Sequence, residues 1–172
     1  MRNWKDQGVA VPILRCAAIA TIMTTSASAS PGGSVASTVY VTADLSDIVD
    51  FNHDRVKLQT KEPTTVRVQR LDFAAGGYTG FHHHPGVVIV AVQSGILTLV
   101  DGHSCATEDK PAGSVFVEGE DHVHQAISRD GATAFVTYVV PRDYAPSSEK
   151  YRIDDPAPFC ASTFESLSKK PR

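Results

Sequence analysis

The sequence lacks long apolar runs and any concentration of basic residues. No stretch approaches the roughly 20 uninterrupted apolar residues that a membrane-spanning helix requires. The 172 residues include 16 Lys and Arg against 19 Asp and Glu, with no basic stripe. Nucleic-acid-binding proteins gather Lys and Arg on one face. The composition therefore argues against a nucleic-acid partner and against insertion in a membrane.

Helical periodicity, internal repeats and phosphate-cradling glycine loops are also missing. Short runs rich in Val, Ile, Thr, Phe and Tyr alternate instead with Gly, Pro and Asp. These runs cover residues 64–73, 87–93, 96–100, 114–118 and 133–140. Because they are short and closely spaced, with no helical crossovers between them, they predict an all-β protein whose antiparallel sheets close into a sandwich or barrel.

The N-terminus has the features of an export signal. Arg2, Lys5 and Arg15 give it positive charge, residues 16–23 are apolar, and residues 27–29 (Ala-Ser-Ala) form a small-x-small cleavage site. A disordered tail is the alternative. We expect residues 1–29 to be a signal peptide and the mature protein to be periplasmic or extracellular, without membrane attachment after cleavage.

The rest of the chain is interpreted as one domain. We expect a leader and N-terminal strands in residues 30–63, a barrel core in 64–141 and a proline-rich tail in 142–172. Signal cleavage would leave two cysteines, Cys105 and Cys160, and an even number in an oxidising compartment suggests one disulfide. That bridge would pin the tail to the barrel. Two free buried thiols are the alternative.

Five of the seven histidines fall in two short clusters, His82-His83-His84 and His122-Val123-His124. Residues i and i+2 of an extended strand share a face, so His82 and His84 should point together and His83 away. A later strand can bring His124 opposite them, and three converging imidazoles form a transition-metal site. His122 remains open as a fourth, less favoured ligand, because the acidic stretch before it reads as a turn.

The histidine clusters resemble the two motifs of the cupin superfamily. The first motif reads Gly76, five residues, His82-x-His84, three residues, Val88, six residues, Gly95, with Val88 where the family has Glu. The second is looser, with Pro111-Ala112-Gly113 followed by His124. The resemblance covers about residues 64–141. It implies a single small jelly-roll β-barrel with the metal inside, and it leaves a homodimer open.

More narrowly, the chain resembles a group of exported bacterial cupins. Residues 81–86 (FHHHPG) match the group's first motif, and Cys105 and Cys160 match its two cysteine positions. The resemblance thus implies the same disulfide. Glu118, Glu120 and Asp121 could replace the missing carboxylate, but acidic residues in a turn are usually solvated, and we expect that here.

The absent Glu has a physical consequence for the metal. Three neutral imidazoles leave the full +2 charge on a divalent ion and keep positions open for water or substrate. Iron, zinc, manganese, nickel and copper all suit such ligands. The cupin resemblance implies a mononuclear non-haem dioxygenase acting on a small organic molecule, and a non-catalytic, metal-dependent small-molecule-binding module is the alternative. No catalytic residue beyond the metal ligands is identified.

Overall fold

The computed structural model describes residues 32–144, 151–155 and 160, and within them the only regular elements are strands. The predicted signal peptide lies outside the described residues. The twelve strands are β1 (Val35–Asp44), β2 (Asp50–His53), β3 (Val56–Gln59), β4 (Thr64–Phe73), β5 (Gly77–Tyr78), β6 (His82–His83), β7 (Val87–Asp101), β8 (Thr107–Pro111), β9 (Val115–Glu118), β10 (His124–Ser128), β11 (Ala132–Pro141) and β12 (Ile153–Asp154). The all-β prediction is confirmed.

Ten of these strands form one curled antiparallel sheet. Its main order is β1-β4-β11-β7-β10-β6-β12, with β8 and β9 pairing with β7 and β5 pairing with β10. The hairpin β2–β3 forms a separate two-stranded sheet. In the described ranges, no helix is long and apolar enough to cross a membrane.

The sheet curls because β7 takes part in both of its halves. Its first half pairs with β11 and β9, and its second half pairs with β10 and β8. The sequence predicts two separate strands here, at 87–93 and 96–100. They are one strand of 15 residues that bends at Gly95. Gly95 has φ of 74°, and a Cβ there would lie 2.1 Å from the carbonyl oxygen of Gly131. Only glycine fits that bend.

The hydrophobic core lies between the two halves of the curled sheet. Every second residue of β11 is buried, as expected for a strand with one face on the core. Val88, Val90 and Val92 on β7 pack against that face. Burial of these strands fixes their register, since a slip of one residue would turn the apolar side chains to solvent. The position of the edge strand β9 opposite β7 is fixed with them.

Candidate metal centre

Three histidines from two segments of the chain converge inside the curled sheet. His82 on β6 lies directly opposite His124, the first residue of β10, and His84 follows β6 by one residue. All three are buried, and their candidate ligand atoms lie within 4.8 Å of one another. The ring centroids are 4.6 to 5.3 Å apart. The described structure thus brings together the three histidines that the sequence singles out.

Backbone carbonyls orient each of the three imidazoles. The Nδ1 of His82 lies 2.8 Å from the carbonyl oxygen of Gly80, and the Nδ1 of His124 lies 2.7 Å from that of His122. The Nδ1 of His84 lies 2.5 Å from the carbonyl oxygen of Tyr151. A carbonyl only accepts, so each Nδ1–H must donate. In the neutral tautomer this leaves every Nε2 with a free lone pair, which is the arrangement that metal-ligating histidines have.

Glu118 completes the cluster, and the expectation that it is solvated is wrong. Its side chain is only 11% exposed, with one carboxylate oxygen 3.2 Å from Nε2 of His124 and the other 3.4 Å from Nε2 of His84. Glu120 and Asp121 in the same turn are exposed, as expected. Glu118 differs because it ends β9, where its side chain shares the inner face with Phe116.

The charges of the three histidines and Glu118 favour a positive charge within this cluster. Burial lowers the pKa of His82 well below its usual value and keeps its imidazole neutral. Burial alone would raise the pKa of the Glu118 carboxyl and lower that of His124. The attraction between the two groups is stronger than this effect, so the pKa of Glu118 is lowered and the pKa of His124 is raised. A buried carboxylate requires such compensation.

One specific observation indicates that a divalent cation fits this cluster. The Nε2 of His124 is buried and has no hydrogen-bond partner, although a carboxylate oxygen is 3.2 Å away. An unpaired buried nitrogen is costly, and native structures rarely leave one without a ligand or an ion. A metal ion bound to Nε2 of all three histidines would satisfy it.

The structure does not bring the other two clustered histidines to this group. His122 is half-exposed, and its Nε2 lies 2.6 Å from a carboxylate oxygen of Asp101. Its ring centroid is 5.8 Å from that of His124. His83 lies between His82 and His84, and its backbone pairs with Ile153 of β12. Neither residue belongs to the convergent set.

An open cavity of about 490 Å³ adjoins the cluster. His124 and Glu118 form part of its wall, together with Leu99 and Phe116 from the inner face of the sheet. Lys110 lies at another wall, 5.5 Å from the centre of the Phe116 ring and paired with Glu108. The space inside the sheet beside His82 and His84 is only about 30 Å³, the volume of one water molecule. A ligand of more than a few atoms must therefore approach from the larger cavity.

The C-terminal segment closes the opposite side of the cluster. Strand β12 pairs with β6, and Arg152 donates to the carbonyl oxygen of Thr79 across 2.6 Å. Cys160 is disulfide-bonded to Cys105, as the even cysteine count suggests. The sequence gives no sign that this tail supplies the carbonyl of Tyr151 to His84. A backbone carbonyl contact leaves no residue-type signal in the sequence, and the Glu118 contact depends on its register opposite Val88, which only the structure gives.

Several solved structures are similar to this chain. A cupin of the RmlC-like type from Shewanella frigidimarina is 17% identical, with a TM-score of 0.45 over 66% of this chain and 82% of its own. A cupin domain from Bordetella pertussis is 20% identical, with a TM-score of 0.43 over 62% and 93%. A salicylate 1,2-dioxygenase from Pseudaminobacter salicylatoxidans is 18% identical, with a TM-score of 0.39 over 42% and 20%.

By contrast, no family model and no curated protein matches the sequence of the chain. The likeness to cupins therefore depends on the fold and on features of the chain itself. These features are the spacing of the first histidine motif, the curled antiparallel sheet and the buried group of His82, His84 and His124. The chain thus has an all-β fold similar to those of solved cupins, with a three-histidine group inside its curled sheet.

Proposed function

We propose that this protein is a mononuclear, metal-dependent dioxygenase that acts on a small organic molecule. The observation that carries the proposal is the convergence of three buried, carbonyl-oriented imidazoles, one of which, His124, lies on the wall of an open cavity. A purely structural site is closed by its ligands, whereas a catalytic one faces a space that substrate can enter. Here His124 contributes both to the histidine group and to the cavity wall.

His82, His84 and His124 would hold the metal through their Nε2 atoms. The resident ion would be a divalent transition metal, with iron proposed and zinc, manganese, nickel and copper compatible with the same nitrogen ligands. When bound, it would supply a Lewis acid with room for an exchangeable ligand. The carbonyl contacts to the three Nδ1–H groups fix the rings, so that little reorganisation is needed on binding.

The cavity walls suggest the character of the substrate. Leu99, Val100, Ala106 and Phe116 offer apolar surface, and Lys110 and Glu108 offer charged groups. A volume of about 490 Å³ lies within the usual range for small-molecule sites. Such a cavity would bind a molecule with an apolar body and orient its polar end toward His124 and Glu118.

We also propose that the protein works outside the cytoplasm. The disulfide between Cys105 and Cys160 supports this location, because disulfides persist mainly in oxidising compartments. The signal peptide expected in residues 1–29 would provide the export route.

The test combines elemental analysis with oxygen uptake. Protein purified without added metal, and protein reconstituted anaerobically with Fe(II), would be screened against small aromatic, thiol and diketone compounds. Substrate-dependent oxygen consumption by the iron form, absent from the His84→Ala variant, is expected. Stoichiometric metal with compound binding but no oxygen uptake would instead favour a non-catalytic metal-dependent binding module.

A further inference from the structure

We infer that Glu118 is a fourth metal ligand, which replaces from β9 the carboxylate that the first histidine motif lacks at Val88. The inference rests on the proposed metal site but not on its catalytic role. It revises the ligand set from three imidazoles to three imidazoles and one carboxylate.

The strand register explains how a carboxylate reaches the site from a different strand. Val88 on β7 is paired directly with Glu118 on β9. Directly paired residues of an antiparallel sheet have Cβ atoms about 4.5–5.5 Å apart and point to the same face. A side chain at position 118 therefore reaches nearly the same space as one at position 88. Val88 itself is fully buried in the core and has no ligand atom to offer.

The distances are those expected between ligands that share one ion. Metal–nitrogen and metal–oxygen bonds of about 2.0–2.2 Å place neighbouring ligand atoms about 3.0–3.5 Å apart in tetrahedral or octahedral sites. The Glu118 oxygens lie 3.2 Å from His124 Nε2 and 3.4 Å from His84 Nε2. The contact with His124 is not a hydrogen bond. With a neutral His124, its Nε2 lone pair faces the carboxylate across this gap, and a cation between them makes the contact favourable.

A metal ion would also compensate the charge of Glu118. The ion pairs that it makes in the described part of the chain involve only His84 and His124, not Lys or Arg. A largely buried carboxylate without a permanent cation is unfavourable. A divalent metal held by three imidazoles and Glu118 would retain a net charge of +1, so the ion and the carboxylate would compensate each other.

Cobalt(II) affinity provides the first test, measured by competition with a chromogenic chelator on the full mature chain. Glu118→Gln keeps the shape of the side chain and removes its charge, and Glu120→Gln, in the exposed part of the same turn, is the matched control. Loss of a direct ligand should weaken Co(II) binding more than 100-fold, beyond the 10–100-fold typical of groups that only orient ligands. The Glu120→Gln variant should bind like wild type. A loss of 100-fold or less in folded Glu118→Gln would overturn the inference.

An exchange of positions is the second test. Glu118→Val should lose affinity as Glu118→Gln does, and the double variant Val88→Glu/Glu118→Val should recover binding to within tenfold of wild type. A folded double variant that binds no better than Glu118→Val would contradict the register argument. If wild-type protein bound no Co(II) at all, the proposed function would fail. If Co(II) bound equally to wild type and Glu118→Gln, only the present inference would fail.

Discussion

The two histidine clusters have nearly the same spacing, yet they serve the site differently. In the first cluster, residues 82 and 84 both turn inward. In the second, His124 is buried in the convergent group, but His122 is half-exposed and pairs with the carboxylate of Asp101. Both contain a His-x-His pair, so residue spacing alone cannot account for the difference.

The backbone before His122 explains it. Asp121 has φ of 59°, in the left-handed region that non-glycine residues seldom adopt, and β10 begins only at His124. Strand alternation does not apply across such a turn, so His122 does not join the buried group that contains His124. The first cluster is extended and held by β12 and by the carbonyl of Tyr151. The i, i+2 rule is therefore valid only where neighbouring strands enforce an extended backbone.

The largest expected effect tests this asymmetry directly. His82→Ala, His84→Ala and His124→Ala should each weaken metal binding by more than 100-fold, because each removes an imidazole from the convergent group. His83→Ala and His122→Ala should retain metal within a few-fold of wild type. The measurement is metal content per folded chain, with circular dichroism confirming a β-rich fold.

Two results would contradict the comparison. Loss of metal in His83→Ala together with retention in His84→Ala would mean that the first cluster is out of register. Loss in His122→Ala as severe as in His124→Ala would mean that His122 leaves Asp101 and joins the metal, which would make the clusters equivalent after all.

The disulfide should have the next largest effect, because it anchors the tail that orients the first cluster. The Cys105–Cys160 bridge closes a separation of 55 residues, which is worth about 4 kcal/mol in the loop-entropy description. Cys105→Ser/Cys160→Ser should lower the free energy of unfolding by up to that amount, as measured by urea denaturation. Metal affinity should fall about tenfold, since the Tyr151 carbonyl is held less firmly against His84.

Alkylation provides the control for the disulfide. In wild-type protein, a thiol-specific reagent should label Cys105 and Cys160 only after reduction, so the reduced and unreduced samples should differ by two labelled cysteines. Free labelling of both without reduction, in protein recovered from outside the cytoplasm, would contradict the bridge. An unchanged urea midpoint in the double variant would show that the tail stays in place without it.

The smallest effect concerns the pair of His122 and Asp101 in the second cluster. Hydrogen bonds from Ser104 and from His122 lower the pKa of Asp101 below its usual value. A group whose pKa is depressed on folding contributes stability above its unfolded pKa of about 4, and this contribution is lost as the pH falls toward the folded value. The stability gap between wild type and Asp101→Asn should therefore narrow below pH 4. Urea titrations of metal-free protein at pH 6 and pH 3 would measure it, and a gap independent of pH would contradict the assignment.

The sequence was sufficient for the longer sheet strands and for the inward-facing histidines. Runs rich in Val, Ile, Thr, Phe and Tyr predict β4 and β11 well, and the i, i+2 pair predicts that His82 and His84 point together. Both are local patterns enforced by one buried face. The bend at Gly95 was missed because its cause is the close approach of Gly131, which is distant in sequence.

The burial of Glu118 could not be predicted from the local sequence for a related reason. Read locally, it begins an acidic, turn-like stretch, and acidic residues there are usually solvated. Its burial follows from the pairing of β9 with β7, which places it opposite Val88. The register between two strands about 30 residues apart cannot be predicted from the sequence of either strand alone. The disulfide, by contrast, could be predicted because only two cysteines remain after the expected cleavage.

The carbonyl contact from Tyr151 to His84 has a consequence for the order in which the protein matures. His84 and its neighbours emerge during synthesis long before residues 151–155, which complete their surroundings by pairing with β6. The surroundings of His84 are thus complete only after residues 151–155 have been made. A protein exported before it folds would accordingly acquire its ion at its destination, with the metal supply of that compartment deciding which ion it carries.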